Sequence, residues 1–136
     1  MSNFDDKSLY SSGLEFYKKN QLDNSLNFRI RIEDKDLNTL KLISKIYIKK
    51  TDFDNAKIIL NEILSLDKKN LFALNSLGDL NKIEKNFANA EKYYLKSISL
   101  NENLISSYFN LGSLYEDKGE LDLAKKNYLK VTEIDH

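Results

Sequence analysis

The sequence predicts an all-α protein built as an array of antiparallel helix pairs, and two observations carry that prediction. Shifting the 136-residue chain by 34 positions superimposes three consecutive segments, which begin at Leu37, Leu71 and Ile105. Within each segment the apolar residues recur at intervals of three and four, the period of a helix with one buried face, and restart after a short polar break.

The agreement between segments is positional. Leu40, Leu74 and Tyr108 coincide, then Ile43, Leu77 and Leu111, then Ser44, Gly78 and Gly112. Further on, Phe53, Phe87 and Leu121 coincide, followed by Ala56, Ala90 and Ala124, and by Leu60, Tyr94 and Tyr128. A shorter first copy is legible in LYSSGLEFYKKNQLDNSLNFRI, where Gly13 falls in the small-residue slot and Ser25 in the alanine slot. The units then run about 6–36, 37–70, 71–104 and 105–136, within a single domain spanning 1–136. In the last unit the pattern places helices near residues 104–117 and 121–134, separated by KGE, and Gly119 suits the left-handed turn that ends a helix. A glycine inside a helix costs about 1 kcal/mol relative to alanine. Three of the four glycines share one slot, which marks a place where two helix axes approach closely.

Composition narrows the function. The 21 basic and 21 acidic residues cancel, so no bulk attraction to nucleic acid or to an anionic membrane is implied. Without cysteine there is no disulfide, thiolate metal site or cysteine nucleophile. No apolar run approaches the roughly 18 residues of a membrane span, and a soluble, cytoplasmic protein is expected. The single histidine, His136, is the last residue, which leaves no histidine triad and no multi-histidine metal site within the fold. No glycine-rich phosphate loop is present, so neither a catalytic residue nor a cofactor or metal is expected. The acidic pairs Asp5 with Asp6 and Asp52 with Asp54 fall at helix starts or breaks, where capping and the helix dipole explain them.

This pattern of a large apolar residue, then Leu with Gly or Ala, then Tyr, Ala and an aromatic over 34 positions resembles the tetratricopeptide repeat. The sequence departs from the motif in having no proline, with Lys68, Glu102 and His136 near the unit ends, and in placing Asn81 where Tyr or Leu is usual. The resemblance implies a right-handed superhelical solenoid of four antiparallel helix pairs, whose concave groove binds a peptide or helical segment of a partner protein. By the same resemblance, groove-facing side chains include Lys41, Lys45 and Lys49 in the second unit, Phe72, Asn75 and Asp79 in the third, and Phe109 and Asn110 in the fourth. Lys41, Lys45 and Lys49 fall at i, i+4 and i+8, one stripe on one helix. They would form a basic wall for an acidic segment; the plainer alternative is a solvated face. Phe72 and Phe109 would serve either as aromatic anchors or as core residues beneath the next helix. The five-residue clamp with which one subgroup grips a C-terminal carboxylate is not reproduced. Its positions hold Lys41, Lys45, Ser76, Ser106 and Asn110 here, and only the first matches.

The expected function is therefore a protein-interaction module without chemistry of its own. The alternatives are the N-terminal recognition part of a larger enzyme, such as a transferase, or a self-associating repeat unit. The last arises because no polar capping helix follows residues 121–134, whose apolar flank is then either solvated by Lys125, Lys126 and Lys130 or packed on a second copy or on a further domain.

Overall fold

The computed structural model describes residues 6–19 and 36–135. Ser25 and His136 lie outside them, so the second helix expected in the first unit is not described. Among the described residues there are seven helices and no strand: α1 (Asp6–Lys18), α2 (Leu37–Lys49), α3 (Phe53–Leu66), α4 (Leu71–Ile83), α5 (Phe87–Leu100), α6 (Ile105–Asp117) and α7 (Leu121–Ile134). They fall into two compact units that divide between Leu66 and Asp67.

In the first unit α1 and α3 both pack on α2. Asp36 caps α2 by accepting a hydrogen bond from the Thr39 amide at 2.8 Å. Leu9, Leu40, Ile43, Ile46, Leu60 and Ile63 are buried there. Ser44 fills the small slot, wholly buried, with its hydroxyl donating to the Lys41 carbonyl at 2.7 Å.

In the second unit α4 packs on α5, α5 on α6, and α6 on α7. Asn70 caps α4 by accepting from the Ala73 amide at 3.0 Å. The links between α4 and α5 and between α6 and α7 are three residues long, so helices whose midpoints touch must run antiparallel. The midpoints do touch. A Cβ on Gly78 would lie 2.5 Å from Tyr94 Cε1, and one on Gly112 would lie 2.5 Å from Tyr128 Cε1. The shared glycine slot is thus the seat of an aromatic ring from the second helix of the same pair, as expected of a close helix approach. Asn81 is buried where Tyr47 and Tyr115 stand in the neighbouring repeats, and its amide donates to the Leu77 carbonyl at 2.7 Å while its oxygen accepts from Asn86.

The three described turns inside pairs share one device. Thr51 (φ 58°), Lys85 (φ 62°) and Gly119 (φ 77°) are all left-handed. After each, the next amide bonds back five residues, Asp52 to Tyr47, Asn86 to Asn81 and Glu120 to Tyr115, at 2.8 to 2.9 Å. Gly119 therefore plays the part its sequence position suggests, and two non-glycine residues play it as well.

Candidate functional site

In the second unit α4 and α6 lie side by side, joined by side chains that the repeat places on their facing surfaces. The Ser107 hydroxyl donates to Asn75 Oδ1 at 2.9 Å. Lys82 donates to Ser113 Oγ, and its ammonium lies 3.8 Å from Asp117. Between them opens a cleft of about 750 Å3, lined by Asp79, Lys82, Ile83, Phe87, Asn110 and Asp117, with Lys85 at its edge. Ile83 is exposed, which gives the cleft an apolar surface among polar groups of both signs.

Of the residues expected to face a ligand, Asp79 and Asn110 meet in this cleft. Asp79 accepts a hydrogen bond from the Tyr94 hydroxyl. Although Asp79 is an exposed residue, crowding of its carboxyl pushes its pKa up, against the opposing pulls of Tyr94 and Lys82. Tyr94 is driven far above the ordinary tyrosine range, first by burial and then by Asp79. Asn75 is engaged with Ser107, and Phe72 is half-buried on α4. Lys82, Ile83 and Asp117 also line the cleft. Lys82 is the residue one turn beyond Asp79, while nothing in the motif marks Ile83, because its contribution comes from lying exposed at the end of α4.

Phe109 is placed differently. It holds on α6 the repeat position that Asn75 holds on α4, and Asn75 bonds the following first helix. On α6 that side is open among the described residues, so Phe109 is 55% exposed and leans on Tyr128, ring centroids 5.7 Å apart.

In the first unit, Lys41 and Lys49 are exposed and Lys45 is half-buried along α2. The Lys49 ammonium sits 4.5 Å above the Tyr17 ring of α1, a cation–π contact. Among the described residues, no cluster of three His, Cys, Asp or Glu side chains stands close enough to hold a metal ion. No described helix is long and apolar enough to cross a membrane.

Solved structures with this fold include a crystal structure of MamA, with a TM-score of 0.85 at 19% identity, covering 96% of this chain and 78% of that one. MamA 41-end from Desulfovibrio magneticus RS-1 gives 0.86 at 15% identity, covering 96% and 76%. YrrB, described as a TPR protein with an unusual peptide-binding site, gives 0.81 at 14% identity, covering 95% and 68%. No curated protein matches the sequence. The tetratricopeptide repeat model matches residues 41–70, 73–104 and 105–135, in step with the three 34-residue units and over more than half of the chain, so the protein belongs to the tetratricopeptide repeat family.

Proposed function

We propose that this protein is an interaction module that holds a segment of a partner protein against its first helices, with the cleft between α4 and α6 as its principal site. Members of the family generally act as non-catalytic interaction modules, and the fold is shared with YrrB, which has a peptide-binding site. The observation that supports the reading most is the position of the cleft. It opens where the family resemblance leads one to expect ligand-facing residues, with Asp79 and Asn110 on its wall, and exposed Ile83 supplies apolar area that burial under a peptide would stabilise. In the first compact unit, Lys41, Lys45 and Lys49 make a basic stripe on α2 suited by itself to an acidic segment.

The test is selection of a displayed peptide library on the full chain, followed by affinity measurement on Ile83→Asp and Asn110→Ala. Selected peptides should lose about tenfold or more on Ile83→Asp, the size expected for removing an apolar contact of more than 1.4 kcal/mol. Equal affinity for both variants and the parent would move ligand binding away from this cleft.

A further inference from the structure

α5 and α7 are the second helices of successive pairs, and α5 has α6 packed against it. α6 covers α5 with Leu111, Leu114 and Tyr115, which form one buried cluster with Ala90 and Tyr94. Charges flank that contact. The Tyr115 hydroxyl donates to Glu91 at 3.0 Å, the Lys118 ammonium lies 3.5 Å from Glu91, and Lys82 of α4 lies 3.8 Å from Asp117.

On the last pair the matching surface is bare among the described residues. Leu121, at the repeat position of Phe87, which packs against the cluster that α6 forms on α5, is 67% exposed, and with Ala124, Lys125, Tyr128 and Leu129 it borders an apolar hollow of about 340 Å3. Exposed Phe109 extends the same surface through its contact with Tyr128. A contiguous apolar surface of this kind is characteristic of an interaction site. Its charges are the inverse of those on the inner surface: Lys125 stands at the repeat position of Glu91, and Glu116 at that of Lys82. A helix seated here as α6 sits on α5 must therefore reverse the order of Asp117 and Lys118.

We propose that this flank docks an amphipathic helix of a partner protein, apolar at i, i+3 and i+4, basic at i+6 and acidic at i+7. The first helix of a second copy fits less well. In the same register α1 offers Ser12 and Glu15 in place of Leu111 and Leu114, and although Lys18 suits Glu116, Lys19 is set against Lys125. The two missing apolar residues, with the Lys19–Lys125 repulsion, favour a partner helix over head-to-tail stacking of this chain, and the site is separate from the cleft between α4 and α6.

The probes are two stapled, fluorescein-labelled peptides of identical composition: residues 105–118 in native order, ISSYFNLGSLYEDK, and the isomer with its last two residues exchanged. Titrated with the full chain and read by anisotropy, the isomer should bind about fivefold to tenfold tighter, the effect of replacing exposed like-charge contacts by opposite-charge ones. Lys125→Glu should abolish or invert that preference, and Leu121→Asp should remove binding of both peptides. Lys125→Glu is a change at an exposed position, so it decides the question even if Leu121→Asp unfolds the last pair. Equal affinities, no binding of either peptide, or a preference indifferent to Lys125→Glu would overturn the proposal. So would a concentration-dependent dimer in sedimentation that Leu121→Asp dissolves, because it would assign the flank to a second copy.

Discussion

The small slot shows how a single residue sets the spacing of a helix pair. Gly78 and Gly112 each face a tyrosine ring, whereas Ser44 shares its slot position with them and stands in the pair whose corresponding second-helix residue is Leu60. The size of one residue answers that of the other. Gly78→Ala should cost about 1 to 3 kcal/mol, because Tyr94 is 0% exposed and has nowhere to turn. Gly112→Ala should cost less, since Tyr128 is only half-buried and can swing outward. Combining Gly78→Ser with Tyr94→Leu, which recreates the pairing of the second repeat, should recover part of the loss in a double-mutant cycle read by urea unfolding. Strict additivity would count against ring contact as the reason for the glycine. The tyrosines offer a second readout. Tyr128 is pushed up to about 12 by its hydrogen bond to Glu116 and secondarily by burial, and Tyr115 to about 12 by burial and then by Glu91. Each is raised on folding, so the stability it contributes is whole below the ordinary value near 10 and is lost as pH climbs through about 12. Absorbance titration of Tyr128→Phe should show one fewer phenol ionising near that upper limit. Loss of a phenol that ionises near 10 instead would contradict the Glu116 bond.

At the scale of elements, the turns inside pairs carry a cost that the sequence only partly declares. Gly119 is at home at φ 77°, but Thr51 at φ 58° is β-branched in a region that favours glycine. The left-handed conformation costs an ordinary residue roughly 1 kcal/mol. Thr51→Gly should therefore stabilise the first unit by up to about 1 kcal/mol, and Gly119→Ala should destabilise the second by a similar amount. Thermal melts with opposite shifts would bear this out, and a drop in melting temperature for Thr51→Gly would contradict it. The contrast explains what was legible in the sequence. Helices expected near 104–117 and 121–134 are found at Ile105–Asp117 and Leu121–Ile134, because apolar periodicity and a glycine stop act locally. The left-handed turns at Thr51 and Lys85 carry no glycine, so only homology of position with Gly119 could reveal them. Phe109 was legible only as either an anchor or a core residue, and not as part of the flank, because its exposure depends on what packs beside α6 rather than on its own repeat position. Asn81 departs from the motif without harm, since its amide finds the Leu77 carbonyl and Asn86.

At the scale of the whole molecule, the absence of net charge means that electrostatic selectivity must come from how charges are ordered along surfaces. The α2 stripe tests this most directly. Lys41→Glu with Lys45→Glu alters one exposed and one half-buried position and should leave the first unit folded. Adding Lys49→Glu removes the ammonium held 4.5 Å above Tyr17, so a further loss of about 0.5 to 1 kcal/mol should appear in the first unit alone. Binding should respond in a different order. An acidic peptide captured by the parent should weaken already with the double variant, and the salt dependence of its association should flatten, because screened attraction to the stripe is what salt removes. Anisotropy titrations at low and physiological salt measure both quantities on the same samples. If the double variant binds the acidic peptide as the parent does at both salt concentrations, the stripe is a solvated face. Recognition would then rest on the cleft between α4 and α6 and on the apolar flank of α7.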